Sequence, residues 1–213
     1  MLFGNSVNIP DLIIRIPAIL LALTVHEFAH AWLAWKRGDG TAKAMGRITL
    51  NPIAHLDVLG TIVMILTGFI GWAKPVPVNP RNFRNANHDM ALVAAAGPMA
   101  NIVLTAIFTA AFWLLLYDAD FFDRAIPQGI KIPLINFMTY CVVINIAFAF
   151  LNLLPIPPLD GFNVIAMFLP ANVVIFCLRY QMLFMIGLIL FVAVGPFPDI
   201  LTSIIRLFFR LLA

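Results

Sequence analysis

Long apolar runs separated by short polar segments make up most of this chain. Four of the runs reach or exceed the roughly 20 residues that a helix needs to cross a bilayer. They cover residues 9–35, 90–117, 133–154 and 172–194, and a fifth run, residues 200–213, suits either a short span or an interfacial helix. The pattern therefore predicts an all-α polytopic membrane protein with about five spanning helices.

Two shorter segments interrupt this pattern. Residues 59–72 are apolar, but the run is only 14 residues long and basic loops flank it on both sides. It is too short for a span and suits a re-entrant or interfacial segment. Residues 74–80 contain three prolines, which exclude a helix and indicate a small extended stretch such as an edge strand.

Charged residues are too scarce for a soluble domain. The chain is 62% hydrophobic and 11% charged, whereas soluble domains average about 45–50% and about 25%. The net charge of +3 comes from lysines and arginines scattered over loops and helix ends. This indicates the positive-inside bias of a protein whose partner is the lipid bilayer, and it argues against nucleic acid. The basic segment 36–89 is expected on the cytoplasmic side, opposite the acidic loop 118–131.

The sequence has one glutamate, Glu27, and two of its four histidines flank it. His26 and His30 form the pattern H-E-x-x-H in the first apolar run, so both imidazoles lie on one face of a helix, one turn apart. That spacing suits two ligands of one Zn²⁺, and Glu27 can act as general base on a metal-bound water. Each charged group inside a span costs roughly 2.5–3.5 kcal/mol and usually has a function. The motif therefore predicts a metal site rather than two structural histidines.

A catalytic zinc site keeps three protein ligands and one open position, so a third ligand is expected elsewhere in the chain. The free candidates are His55, Asp57, His88 and Asp160. Asp160 follows a proline-broken helix end, at the depth expected for His30, and the rigid turn before Gly161 suits a positioned ligand. Its alternative role is to cap the helix that follows. Spacing alone leaves both roles open.

A second motif, N-x-x-P-x-x-P-L-D-G, covers residues 152–161, about 130 residues after the first. In this order and at these helix ends, the two motifs resemble those of the site-2 proteases, a family of intramembrane zinc metalloproteases. The resemblance covers residues 18–168. It implies one integral-membrane metalloprotease domain over residues 1–213. No inserted PDZ or CBS domain fits within 213 residues, so a minimal form of the family is expected.

The resemblance also implies roles for individual residues. His26, His30 and Asp160 would bind Zn²⁺, and Glu27 would be the general base. Asn152 matches the family position thought to hold the substrate carbonyl or oxyanion, although helix capping or packing is its alternative role. The implied reaction is hydrolysis of peptide bonds in or near transmembrane segments of membrane proteins.

Two further stretches look like segments of the same family. They are Gly97-Pro98 with Asn101, and Asn51-Pro52 followed by His55. Asn101 and His55 are therefore candidates for a substrate-site residue or for a side chain that supports a ligand. For His55, a turn histidine bonded to the backbone is an equal alternative.

The position of the first motif predicts where the site lies. His30 stands six residues before Lys36, which is about 9 Å along a helix. The site is therefore expected near the cytoplasmic face, within reach of water. The cytoplasmic membrane of a prokaryote is the expected location.

Two other functions remain open at this point. A metal transporter would spread its acidic and histidine residues over several helices at different depths, whereas here they concentrate in one helix and one helix end. A non-catalytic zinc-binding membrane protein would have a closed site with four ligands and no need for Glu27. The Glu27→Gln variant separates these functions from a protease. The substrate and the oligomeric state have no signal in the sequence.

Overall fold

The structure, a computed structural model, describes residues 9–67, 72–117, 124 and 126–212. The secondary structure in this part of the chain is helical. Its helices are α1 (Ile9–Lys36), α2 (Thr41–Ala44), α3 (Val58–Thr67), α4 (Ala86–Tyr117), α5 (Gln128–Asn152), α6 (Asp160–Ala166), α7 (Ala171–Arg179), α8 (Gln181–Ala193) and α9 (Phe197–Leu212), with 3₁₀ turns at Pro52–His55 and Pro80–Asn82. The predicted all-α class is confirmed for these residues.

Helices α1, α4 and α5 are long and apolar enough to cross a membrane. They correspond to the first three predicted spans, and they pack against one another. Ala22, Ala31 and Ala34 in α1 and Ala91 and Ala94 in α4 are buried. Such small side chains let membrane helices approach closely, which suits a tightly packed three-helix core.

The run 172–194, predicted as one span, is not one continuous helix. The pair α7 and α8 is bent by 67° at Tyr180, where the backbone leaves the helical conformation (φ −102°, ψ 17°). Arg179, Tyr180 and Gln181 interrupt the apolar run with three polar side chains at this point. The described residues contain three candidate spans, or four if the bent pair crosses as one, so the predicted number of about five is not confirmed.

The last apolar run forms α9, whose 16 residues fall short of the ~20 that a straight span needs. Phe197, Leu201 and Ile205 form its buried face and pack on α5 and α8. Arg206 and Arg210 are exposed and lie on the opposite face. A helix with an apolar face and a basic face is typical of the membrane interface, the second of the two predicted alternatives.

Helix α3 is ten residues long, too short to cross a bilayer, as the sequence predicted. The Asp57 carboxylate accepts a hydrogen bond from the Gly60 N–H at 2.9 Å and thereby caps the helix. Trp72 packs on Gly60 so closely that an added Cβ would lie 2.9 Å from the indole ring. The start of α3 is therefore anchored to the residues that follow it.

The segment 72–79 has no regular secondary structure, and its one ladder contact is an isolated antiparallel bridge between Ala73 and Leu56. Arg47 supports the segment by donating to the Lys74 carbonyl at 2.5 Å. Prolines within it cannot donate to a ladder. The predicted edge strand is therefore not confirmed for the described residues.

Asp39 ties the end of α1 to the chain before α4. Its carboxylate is fully buried and accepts hydrogen bonds from Thr41, from the Asn79 N–H at 2.7 Å and from Asn82 Nδ2 at 2.6 Å. Burial alone would raise the pKa of Asp39, but these hydrogen bonds outweigh it and hold the pKa below its ordinary value. The two helices that flank the candidate site are thus joined at one end.

Candidate metal centre

His26 and His30 lie one turn apart on the buried side of α1, with 6% and 8% of their surfaces exposed. Gly97 of α4 faces both imidazoles. A Cβ added there would lie 2.6 Å from His26 Nε2 and still closer to His30 Nε2. Because glycine has no side chain, α4 can approach both rings at this point.

Asp160 reaches the same place from the other end of the chain. It is the first residue of α6, after a proline-rich turn that leaves the end of α5. The turn closes tightly, because a Cβ on Gly161 would lie 2.5 Å from the Leu154 carbonyl oxygen. The N-cap position of α6 belongs to Leu159, and no side chain caps it. The alternative role of Asp160 as a cap is therefore not seen.

Three ligand atoms converge between these helices. Asp160 Oδ2 lies 3.1 Å from His26 Nε2 and 3.3 Å from His30 Nε2, and the two Nε2 atoms are 3.0 Å apart. Among the residues that the structure describes, this is the group of histidine, cysteine and acidic side chains arranged to hold a metal ion.

The other ring nitrogens show which atoms are free to bind. His30 Nδ1 lies 2.7 Å from the Val93 carbonyl oxygen, an acceptor, so Nδ1 carries the hydrogen. His26 Nδ1 lies 2.7 Å from Asn101 Oδ1, which requires the same tautomer. In the neutral imidazoles, both Nε2 atoms therefore present lone pairs to the site, as metal-binding histidines do.

This donor set fits a divalent cation. Asp160 Oδ2 is buried and has no hydrogen-bond partner within the described parts of the chain. It lies 3.1 and 3.3 Å from the two Nε2 atoms, and three such electron-pair donors repel one another unless a proton or a metal cation lies between them. Two imidazole nitrogens and one carboxylate oxygen form a three-ligand set that leaves a position open, as in catalytic zinc sites.

The other candidates for the third ligand lie outside this group. His55 is fully buried, with Nε2 2.9 Å from the Thr49 carbonyl oxygen, so it makes the backbone contact of a turn histidine. Asp57 caps α3. His88 is half exposed beside Asp89.

The two predicted catalytic side chains are placed differently. Glu27 is buried and follows His26 in α1, three residues before His30, so it neighbours His30 on the helix surface. Asn152 is the last residue of α5, and its Nδ2 donates to the Phe148 carbonyl at 3.0 Å. This contact within α5 matches the alternative role of helix capping or packing. The role of Asn152 toward the substrate stays a prediction.

The structure also brings in a residue that the sequence reasoning missed. Asn145 of α5 is fully buried, and its Oδ1 accepts a hydrogen bond from Asn101 Nδ2 at 2.7 Å. Its signal was present, because an amide within an apolar span is costly and usually has a specific partner. An asparagine is not ionisable, so the pattern of candidate metal ligands did not include it.

Comparison with known proteins agrees with this geometry. The family model described as peptidase family M50 matches residues 14–194. The chain belongs to peptidase family M50. This confirms the site-2 protease resemblance, and family and apolar helices together identify an integral membrane protein. No solved structure gives a significant match.

Three relatives carry provisional names as zinc metalloproteases. YwhC of Bacillus subtilis is 41% identical over 155 residues, which is 73% of this chain and 68% of that protein. Rip2 of Mycolicibacterium smegmatis is 33% identical over 71% of this chain and 55% of its own length. Rip2 of Mycobacterium tuberculosis is 30% identical over 67% of this chain and 52% of its own length. The chain thus spans about half the length of the two mycobacterial relatives.

Proposed function

We propose that this protein is a zinc-dependent intramembrane endopeptidase that hydrolyses peptide bonds in or near transmembrane segments of membrane proteins. The convergence of His26 Nε2, His30 Nε2 and Asp160 Oδ2 among apolar helices carries the proposal. Membership of peptidase family M50 and the names of the relatives support it.

Within this proposal, His26, His30 and Asp160 hold Zn²⁺. When bound, the ion supplies a Lewis acid for the scissile carbonyl and lowers the pKa of water to about 7. Glu27 takes the proton of the attacking water and passes it to the leaving amine.

Asn152 then stabilises the substrate carbonyl oxygen as it gains negative charge. Its Nδ2 carries two N–H donors, and the hydrogen bond to the Phe148 carbonyl at 3.0 Å uses one of them. We assign the second N–H to the substrate carbonyl oxygen.

The substrate must unwind before it is cut, because a helix in lipid already satisfies its own backbone. We assign the extended segment 75–79 to pairing with the unwound chain. Val76→Pro is the cleaner test, since Val78 packs against Ala34, Phe83 and Val93. Cleavage at the wild-type rate by Val76→Pro would refute this pairing.

The site belongs near the cytoplasmic face of the cytoplasmic membrane in this proposal. His30 lies about 9 Å from the end of α1 at Lys36, where the basic segment begins. Cysteine-accessibility labelling of the 41–44 helix from each side of sealed vesicles tests this orientation.

The decisive experiment compares wild type with Glu27→Gln. Each is co-expressed with a panel of single-span membrane proteins, and zinc content is measured on the purified chain. We expect Glu27→Gln to keep zinc and lose cleavage, because the three ligand atoms are unchanged. His88→Gln is the matched control and keeps both, since His88 is half exposed outside the site. Unaltered cleavage by Glu27→Gln would exclude the protease.

A further inference from the structure

A chain of side-chain hydrogen bonds leads from His26 across α4 into α5. His26 Nδ1 contacts Asn101 Oδ1 at 2.7 Å, and Asn101 Nδ2 donates to Asn145 Oδ1 at 2.7 Å. Asn145 Nδ2 donates to the Cys141 carbonyl at 2.7 Å. Both asparagines are fully buried, so water does not compete for these contacts. Three helices are thereby joined behind one candidate metal ligand.

The Cys141 carbonyl, at the end of this series of hydrogen bonds, sets the direction of each of them. The Cys141 carbonyl only accepts, so the Asn145 NH₂ group points to it and Oδ1 turns toward Asn101. Asn101 must then donate to Asn145, which turns its own Oδ1 toward His26. Asn101 Nδ2 also donates to the Ala22 carbonyl at 3.1 Å, which favours the same orientation. His26 Nδ1 is left facing an acceptor and must carry the hydrogen.

We propose that Asn145 is a positioning residue for the metal centre: through Asn101, it holds His26 in the tautomer whose Nε2 lone pair faces the other ligands. This role rests on the metal site proposed above and adds a residue that reaches His26 only through Asn101. A flipped Asn101 amide would offer a donor to His26 Nδ1. The hydrogen would then move to Nε2, and His26 could no longer bind the ion.

His30 provides an internal reference. Its Nδ1 faces the Val93 backbone carbonyl at 2.7 Å, which fixes the same tautomer without any side-chain relay. Loss of Asn145 should therefore affect His26 and leave His30 unchanged. A residue that only joins helices would not distinguish between the two rings.

The first measurement is zinc affinity of the purified full chain, by competition with a chelator. Partners behind a ligand typically contribute about 10–100-fold to metal affinity. We expect Asn145→Leu to weaken zinc binding by about 10-fold, at the lower end because the Ala22 contact of Asn101 remains. Thr105→Val is the matched control. Thr105 is also buried, but its hydroxyl donates to the backbone carbonyl of Asn101 and not to the side chains that connect Asn145 to His26. This variant should bind zinc like wild type.

A double-mutant cycle tests whether Asn145 acts through Asn101. In an Asn101→Leu background, adding Asn145→Leu should cause no further loss of zinc affinity. Multiplicative losses would show two independent effects and would overturn the proposal. Asn145→Asp keeps an acceptor toward Asn101, so it should bind zinc more tightly than Asn145→Leu.

The second measurement reads the tautomer directly. Nitrogen-15 NMR of the zinc-free chain at alkaline pH, with His26→Gln for assignment, should show the hydrogen on Nδ1 of both His26 and His30. In Asn145→Leu the His26 signal should shift toward the Nε2–H tautomer, and the His30 signal should not. Hydrogen on Nε2 of His26 in the wild type would refute the proposal even if no Asn145 variant folds.

The two proposals fail differently. A wild-type chain that binds no zinc would refute the proposed function. Normal zinc binding by wild type, together with unchanged affinity and an unchanged His26 tautomer in Asn145→Leu, would refute only the role of Asn145.

Discussion

Replacing Gly97 with alanine should displace both histidines from the metal centre. The added Cβ would lie 2.6 Å from His26 Nε2, whereas ordinary contacts begin at 3.4 Å. The rings must therefore move by at least about 0.8 Å, the difference between these distances, although metal–ligand distances vary by only about 0.2 Å.

The free-energy cost of the added methyl group should reduce zinc affinity rather than the stability of the fold. In the zinc-free chain the two rings can rotate away from the new methyl group, but zinc binding brings them back against it. Overpacking of this kind costs about 1–3 kcal/mol, which corresponds to an approximately 5- to 150-fold loss of affinity. Cleavage should fall in parallel at limiting zinc.

The assay is chelator competition on the detergent-purified chain, with helix content followed by circular dichroism. Gly187→Ala is the control, because a Cβ at that position meets no described atom within 4 Å. If folded Gly97→Ala bound zinc as tightly as wild type, α4 could not press against both imidazoles as described.

Three further predictions test other parts of the structure. Asp160→Asn should reduce zinc affinity by at least about 100-fold, more than loss of a supporting residue, with helix content unchanged; equal zinc binding in equilibrium dialysis would remove Asp160 from the site. Asn152→Ala should lower kcat by about 10²–10³-fold at unchanged zinc content, and an unchanged kcat would leave Asn152 only its helix contact. Because its hydrogen bonds lower the pKa of Asp39, its stabilisation is full above the unfolded pKa and is lost as pH falls through the folded pKa. Thermal unfolding should therefore show a wild-type stability advantage over Asp39→Asn at pH 7 that shrinks in acid; a constant difference would contradict this.

The helical core could be predicted because its information is local. A run of about 20 apolar residues has few alternatives to a spanning helix in lipid, and α1, α4 and α5 lie where such runs occur. The bend at Tyr180 was not predicted, because the length of an apolar run carries no information about a local break in the helix. The predicted number of about five spans is not confirmed, because the described residues contain three candidate spans, or four if the bent pair crosses as one.

The candidate metal centre could be predicted from the sequence in two unequal parts. The spacing of His26 and His30 places them on one helix face whatever the rest of the chain does. The choice of Asp160 as the third candidate ligand depended on resemblance to a family, since His55, Asp57, His88 and Asp160 were all open on spacing alone.

The polar side chains behind the centre required the packed helices. Asn101 was named only as a family segment, and Asn145 was not named at all. Their contacts join α1, α4 and α5, and no periodicity within one helix encodes which buried amide meets which imidazole.

The amino-acid sequence alone was enough to establish a membrane protein with an H-E-x-x-H helix, because apolar length and four-residue spacing act within a single segment. Packing selected Asp160 as the carboxylate beside the two histidines, and turned Asn152 toward Phe148. Both outcomes depend on where α4, α5 and α6 come to rest. That placement is decided by side-chain fit between helices far apart in the chain, such as the absence of a side chain at Gly97.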